Sequence, residues 1–288
     1  MESIISVKEF TIDKVMYYIN KADNIDKESD AICKGKTLIN LFYEPSTRTS
    51  CSFHKAMLNL GGNVIEITDN SSAKKGESLE DTIKTVSNYG DVIVLRHPEK
   101  GSCERAYKVS SVPLINGGDG NGEHPTQALL DIYTIYKEAK KDILHDKLIV
   151  TFIGDIKNSR TIHSLIHLLN LFQVTYIFIF PPGLELESTN LNVLHVSLEE
   201  ALQITDVVYI TRIQKERTNE SFQPICLSKE ILGTKNYIIM HPLPRQEELP
   251  PELDDDPRSV YFKQVAYGVK MRMAILHELL IDNKLLYI

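Results

Sequence analysis

The sequence predicts an α/β protein with two domains, each a parallel sheet flanked by helices. Three observations carry that expectation. Short apolar runs alternate with amphipathic stretches along the whole chain, the pattern of parallel strands covered by helices. The alternation is interrupted at Lys140-Lys141-Asp142, a polar break after a long helical pattern, and then starts again. A length of 288 residues suits two cores of ordinary size.

In chain order, helical spacing is expected over 7–21, and an apolar run at 37–42 reads as a buried strand. A helix follows at 48–60, where Phe53, Ala56, Met57 and Leu60 fall on one face. Strands at 63–67, 91–95 and 112–115 then alternate with helices at 78–89, 102–110 and 125–139. The second series has strands at 147–153, 174–179, 192–195, 206–210 and 236–240, with helices near 159–170, 197–203 and 228–232. A last helix, about 268–286, comes after both series. The expected domains are therefore 1–140 and 141–267, with the 268–288 helix packing back on the first. No repeat of solenoid period and no low-complexity segment interrupts the pattern.

Composition narrows the function. Hydrophobic residues at 42% and charged residues at 25% are ordinary for a globular protein. A net charge of −7 with no long basic run argues against nucleic acid, but not against a small anion held by a local cluster of cations. No apolar run approaches the roughly 20 residues of a membrane span. The start, Met1-Glu2-Ser3-Ile4-Ile5, lacks the basic and apolar regions of a signal peptide. Cys33, Cys51, Cys103 and Cys226 are far apart, so neither a disulfide framework nor a metal knuckle is expected, and a cytoplasmic setting is.

The most informative stretch is Phe42-Tyr43-Glu44-Pro45-Ser46-Thr47-Arg48-Thr49-Ser50. A strand ends there, and a helix opens in a turn crowded with hydroxyls and one arginine. First-turn N–H groups lack intrahelical partners, and the helix dipole is positive at that end. Hydroxyls and a guanidinium then complete a cradle for phosphate or carboxylate. A lone Ser-Thr pair would be an ordinary helix cap. It is not a Walker loop, because no glycine-rich run ends in Lys-Ser or Lys-Thr.

In open parallel sheets ligands bind beyond the carboxyl ends of the strands. Five further strand ends carry donors: Arg96-His97-Pro98, His124-Pro125-Thr126-Gln127, Gly154-Asp155 with Arg160, Thr211-Arg212-Ile213-Gln214 with Arg217, and His241-Pro242-Leu243-Pro244-Arg245. Each alone has an ordinary reading as a solvated arginine, a cap or a turn. Their coincidence on one rim implies substrates rich in phosphate and carboxylate. The loop Asn70-Ser71-Ser72-Ala73-Lys74-Lys75-Gly76-Glu77-Ser78 reads by itself as a solvated polar connection.

Together these motifs resemble the transcarbamoylase family, and within it the catalytic chains of the aspartate carbamoyltransferases. FYEPSTRTS, SSAKKGES, RHP, HPTQ, GDIKNSRT, TRIQKER and HPLPR occur in that order from about Thr37 to Leu280. Ornithine enzymes typically carry Arg at the position of Ser50 and His-Cys-Leu-Pro in place of His241-Pro242-Leu243-Pro244. Arg160, Arg212 and Arg217 also suit a dicarboxylate acceptor and would repel an ammonium side chain.

The resemblance implies an active site in the cleft between the domains and an early reaction of pyrimidine synthesis, with neither metal nor cofactor. Ser46, Thr47, Arg48 and Thr49 are expected to hold the phosphate of carbamoyl phosphate. Arg96, His124 and Gln127 are expected at the carbamoyl group together with Thr49, beside the backbone of Pro242 and Leu243. Arg160, Arg212 and Gln214 are expected on the carboxylates of L-aspartate, and Lys75 is expected to bind that substrate as well. Glu44 would link Arg160 and Arg217 in the closed state. Ser72 and Lys75 would enter the site of a neighbouring subunit, making the active unit a homotrimer, with a regulatory chain left open. Spacing to the lysine before Gly76 favours Ser72 over Ser71. The chain departs from the family at Gln264-Val265-Ala266-Tyr267-Gly268, where many members have Gln-Ala-x-Asn-Gly, and in a short segment after Arg217. Other readings are a transcarbamoylase with another amino acceptor and a non-catalytic anion-binding homologue. Intact His124 and Lys75 argue against the last.

Overall fold

The first apolar runs form β1 (Thr37–Phe42), β2 (Asn63–Ile67), β3 (Val92–His97) and β4 (Leu114–Asp119) in a computed structural model that describes residues 2–28, 31–68, 76–186, 190–215 and 221–282. All pair parallel, in the order β2-β1-β3-β4. A parallel sheet requires crossovers, and helices supply them. α1 (Ile12–Glu28) precedes the sheet, and α2 (Thr47–Asn59), α3 (Leu79–Val86), α4 (Ser102–Val109) and α5 (Pro125–Glu138) follow the strands in turn. Ile39, Leu41, Ile83, Ile93, Leu95 and Leu114 are buried together where α3 and α4 meet the sheet. The edge strand β2 is largely exposed.

The second series repeats the plan. β5 (Leu148–Ile153), α6 (Arg160–Leu169), β6 (Val174–Ile179), α7 (Leu198–Ile204), β7 (Val207–Ile210), α8 (Lys229–Leu232) and β8 (Ile238–Met240) build a parallel sheet in the order β6-β5-β7-β8. Ile153, Val208, Ile210, Ile239 and Tyr261 share its core. Phe152 stacks on Phe178 with ring centroids 5.8 Å apart. No helix among the described residues is long and apolar enough to cross a membrane.

The chain divides into two compact units, Met1–Leu130 with Val265–Ile288, and Asp131–Gln264. The division falls inside α5 rather than at Lys140-Lys141-Asp142. Asp131 is bonded to Tyr209 and Gln264, both of the second unit, so α5 joins that unit before it ends. The terminal stretch belongs with the first unit: Arg272 donates to Ser52 Oγ at 2.9 Å and lies over the Phe53 ring.

Three expected elements change. The run 192–195 makes only a bridge between Val193 and Tyr176, so it is not a strand of the sheet. β4 continues through Asn116-Gly117-Gly118 to Asp119, past a register shift opposite β3. The last helix, α9 (Tyr261–His277), begins before Gly268, which lies inside it. A Cβ at Gly268 would stand 2.7 Å from Arg272 Nη1 and 3.2 Å from Leu130 Cδ2. That glycine marks close packing, not a turn.

Candidate functional site

In each sheet the chain leaves its first strand to one side and its third to the other, so a topological switch point falls between β1 and β3, and between β5 and β7. Ligands of open α/β sheets bind at that point, beyond the strand ends. The sequence-derived site residues collect there in both units.

In the first unit, β1 ends beside β3: Phe42 pairs with Arg96, and Tyr43 N donates to Arg96 O at 2.8 Å. Tyr43 also packs on His97, centroids 4.7 Å apart. Helix α2 then opens with Ser46 at its N-cap. The Ser46 hydroxyl caps no backbone group, and the first turn carries no acidic residue. The positive end of the dipole is therefore neither capped by that hydroxyl nor neutralised by a carboxylate. Thr47 and Arg48 are exposed and Thr49 is buried, with its Oγ1 3.5 Å from His124 Nε2. Arg96 is half-buried, with Nε 3.3 Å from a Glu44 carboxylate oxygen and Nη1 donating to Gly117 O at 3.2 Å. Glu44 thus pairs with Arg96 inside its own unit here.

His124 is 4% exposed and precedes α5, and Gln127 sits half-buried in the first turn of that helix. Asp119 holds the connection that leads to it. Its carboxylate accepts from Gly101 N at 2.8 Å and Glu123 N at 2.7 Å, and Asn116 Oδ1 accepts from Gly118 N at 2.7 Å. Glu123, next to His124, is bound by Ser6 Oγ at 3.0 Å and Val7 N at 2.6 Å. Ile4 N donates to Leu114 O at 2.9 Å, so the N-terminal stretch braces β4 and its loop. Sequence reasoning missed this brace, whose only sign was the apolar pair Ile4-Ile5 after Glu2-Ser3.

In the second unit, β5 ends in Gly154-Asp155. Gly154 has φ +116, and a Cβ there would stand 2.1 Å from Thr211 O, so only glycine lets the ends of β5 and β7 approach. Asp155 is fully buried and accepts from Asn158 N, Asn158 Nδ2 and Gln214 N, each at 3.0 Å. It ties the segment carrying Arg212 and Gln214 to the loop before α6. Arg160 opens α6 and is 7% exposed, and Arg212 Nη1 donates to Ile213 O at 3.1 Å. These residues follow the same sheet end.

Next to β7, β8 leads into His241-Pro242-Leu243. Leu243 has φ 56, a left-handed conformation costly for a residue with a branched side chain. Leu243 N donates to His241 Nδ1 at 2.8 Å, and His241 Nε2 lies 3.0 Å from Glu248 Oε1. Burial opposes ionisation of Glu248, but the hydrogen bonds from His241 and Gln246 N outweigh it and hold the carboxyl below its usual range. Outside this turn, Arg245 makes a two-pronged contact with Asp254, one prong at 2.8 Å, and the Tyr261 hydroxyl joins on the other oxygen. The Arg245 contact first, and the Tyr261 bond with it, lower the Asp254 pKa to about 2. The pair is partly exposed, so its worth is modest. A depressed carboxylate stabilises above its unfolded pKa of about 3.9, and that contribution is lost as pH falls towards 2. The melting-temperature gap between the wild type and Asp254→Asn should therefore be full at pH 6 and shrink below pH 4. A gap unchanged down to pH 2.5 would refute it.

Ser72, Lys75 and Arg217 lie outside the described residues. The structure brings Ser46, Thr47, Arg48, Thr49, Arg96, His124 and Gln127 to one switch point, and Arg160, Arg212, Gln214, Pro242 and Leu243 to the sheet end of the other.

The matches to known protein families divide the chain between 137 and 146, on either side of Lys140-Lys141-Asp142. Residues 2–137 match the family model described as "Aspartate/ornithine carbamoyltransferase, carbamoyl-P binding domain", and residues 146–279 match "Aspartate/ornithine carbamoyltransferase, Asp/Orn binding domain". The aspartate carbamoyltransferase catalytic subunit of Methanocaldococcus jannaschii is 41% identical, over 99% of each chain. Multifunctional protein CAD of Squalus acanthias is 46% identical over 96% of this chain, which spans 13% of that protein's length. The M. jannaschii catalytic subunit structure superposes with a TM-score of 0.89 at 41% identity, over 99% of each chain. Aspartate transcarbamoylase from Trypanosoma cruzi in complex with carbamoyl phosphate and aspartate gives a TM-score of 0.89 at 36% identity, over 97% of each chain.

Proposed function

The chain belongs to the aspartate/ornithine carbamoyltransferase family, and from that premise we propose that it transfers the carbamoyl group of carbamoyl phosphate to the α-amine of L-aspartate. The products are N-carbamoyl-L-aspartate and phosphate, an early step of pyrimidine synthesis. The observation that carries the choice of acceptor is the second switch point. It presents Arg160, Arg212 and Gln214, while the carboxylate there, Asp155, is buried and engaged with N–H groups. Two guanidinia suit a dicarboxylate and repel the side-chain ammonium of ornithine.

The chemistry follows from these groups. Ser46, Thr47, Arg48 and Thr49 hold the phosphate at the α2 N-terminus, where uncapped first-turn N–H groups favour an anion. The neutral α-amine attacks the carbonyl carbon, a C–N bond forms, and negative charge gathers on the carbonyl oxygen. Donors from Thr49, Arg96 and His124 stabilise that charge. Gln127 and the backbone of Pro242 and Leu243 orient the carbamoyl group. The C–O bond to phosphorus-bound oxygen then breaks, and phosphate leaves with the electron pair, taking the amine proton. Arg48 and Lys75 neutralise it. Holding both reactants in line accounts for several kcal/mol of barrier.

Ser72 and Lys75 act in the site of a neighbouring subunit, so the working unit is a closed homotrimer. The edge position of β2, which leads into their segment, supports this. Glu44 exchanges Arg96 for Arg160 and Arg217 when substrates are bound. The four cysteines are free thiols, which fits a reducing, cytoplasmic setting.

A direct assay decides the acceptor: carbamoyl phosphate is consumed with L-aspartate and not with L-ornithine. Efficient carbamoylation of ornithine would refute the proposal. Arg212→Ala should raise the KM for aspartate by about 10- to 150-fold, the worth of one charge-assisted carboxylate contact (about 1.5–3 kcal/mol). The KM for carbamoyl phosphate should hardly move. Equal effects on both substrates would refute the division of labour.

A further inference from the structure

The N-terminal stretch that braces β4 also lines a cavity of about 410 Å³ that lies wholly within the first unit. Ser3, Ile5 and Ser6 contribute to it, α4 adds Glu104, Tyr107 and Lys108, and Glu2, Glu9 and Lys14 complete the lining. Cavities of this size hold small organic molecules. The mechanism above uses none of these side chains.

The charges around it do not balance. Three carboxylates face two ammonium groups, which leaves one net negative charge. Lys14 is already engaged, with Nζ 3.3 Å from Glu2 Oε1 and 5.2 Å from the centre of the Phe10 ring. The other Glu2 oxygen, Oε2, is buried without a hydrogen-bond partner among the described residues, on a side chain only 11% exposed. Tyr18 OH is orphaned in the same way, on a residue 0% exposed. Burial first, and the charge of Glu2 next, push the Tyr18 phenol well above its usual value, so the two orphaned oxygens are neighbours. An unmet buried acceptor costs free energy until a donor reaches it, and an ammonium group brings three donors. A bare ion would leave most of the cavity unfilled, whereas Ile5 and Tyr107 offer apolar and aromatic surface to a carbon body.

Hydrogen bonds tie this lining to His124. Ser3 Oγ accepts from Leu114 N at 3.0 Å, and Asn116 N donates to Ile4 O at 2.7 Å. Ser6 Oγ donates to Glu123 Oε1 at 3.0 Å, and Glu123 is the residue before His124. Segments at the start of a domain are ordered only where such bonds hold them. The cavity has its lining only while this segment lies on β4. An occupant therefore stabilises the segment in place and, through Glu123, the placement of His124.

We propose that this cavity binds a small organic cation, a primary ammonium on an apolar or aromatic body, and that its occupancy tightens the binding of carbamoyl phosphate. The second half rests on the proposed function, which puts His124 at the carbamoyl group; the first half does not. Such coupling is reciprocal, so carbamoyl phosphate tightens the cation by the same factor.

Calorimetric titration of the full chain with 2-phenylethylammonium chloride tests the site, with 3-phenylpropanoate as an anion of similar size. Saturable binding of the ammonium with a millimolar or lower Kd is expected, and none of the anion. Glu2→Gln keeps the shape and removes the buried charge, so it should weaken the ammonium about tenfold. Glu104→Gln, at the exposed edge, should weaken it about threefold. If Glu2→Gln does not fold, Glu104→Gln combined with Tyr107→Ala reads the same loss. No binding, equal binding of the anion, or an affinity unchanged in these variants overturns the site. With saturating carbamoyl phosphate the ammonium should bind about three- to tenfold tighter. That gain should disappear in Ser6→Ala, which cuts the bond to Glu123 and leaves the carboxylates in place. No gain in the unmutated chain, or a gain that survives Ser6→Ala, overturns the coupling. Transfer to aspartate is assayed alongside. If the unmutated chain neither binds carbamoyl phosphate nor transfers to aspartate, the functional reading fails and the coupling with it, while the ammonium site is judged on the titration made without substrate.

Discussion

His124→Ala should lower kcat by about 10²–10³ and leave the fold intact, the loss typical of removing one donor from a developing oxyanion. The imidazole is buried, and its Nε2 lies 3.5 Å from Thr49 Oγ1, at the switch point that also carries Arg96. If the ring donates to the developing oxyanion, it acts on charge that appears only in the transition state, and kcat should fall more than substrate affinity. The competing role is local. The His124 carbonyl already accepts from Gln127 N at 3.0 Å and Ala128 N at 3.1 Å, and any residue supplies that carbonyl. If the side chain served only the start of α5, the variant would lose about 1 kcal/mol of stability with kcat unchanged. Denaturant unfolding beside steady-state kinetics separates the two outcomes.

What the sequence made legible is what local chemistry encodes. β1, β2 and β6 run over the expected residues, because each is an apolar run bounded by polar breaks. The strand-to-helix turn at Ser46–Thr49 was legible because Pro45 ends the apolar run and hydroxyl residues favour a helix start. Strand ends bearing Arg96, His124, Arg160 and Arg212 followed from the rule for parallel sheets. The strand order, which locates the two switch points, follows from packing that no local pattern contains. So does the brace from Ser6 and Val7 to Glu123, which joins residues more than a hundred positions apart. Gly268 looked like a helix start because a lone glycine usually breaks helical patterns, whereas here it makes room for Arg272. The burial of Glu248 beside His241 likewise comes from packing.

Mixing two inactive variants, Lys75→Ala and Arg48→Ala, should restore activity when the chains are dissociated together and reassembled. Arg48 lies in the first turn of α2, at the inner strand β1. Lys75 belongs to the segment that follows β2, the edge strand of the same sheet. If that lysine completes the phosphate site of the next subunit, each site draws Arg48 from one chain and Lys75 from its neighbour. Head-to-tail contacts of this kind close into rings. In a ring holding both variants, one junction joins an intact Arg48 cradle to an intact Lys75 segment, while the others lack one or both groups. With equal mixing into trimers, roughly a quarter of all sites should be whole. On that reading Lys75 and Arg48 both neutralise the leaving phosphate and neither substitutes for the other, so the parents alone should stay inactive. Mixing after separate reassembly should recover nothing, since the rings have already closed. Hybrid rings that form, as charge-tagged chains would reveal, yet remain as inactive as their parents would place Lys75 in its own subunit's site and end the shared-site proposal.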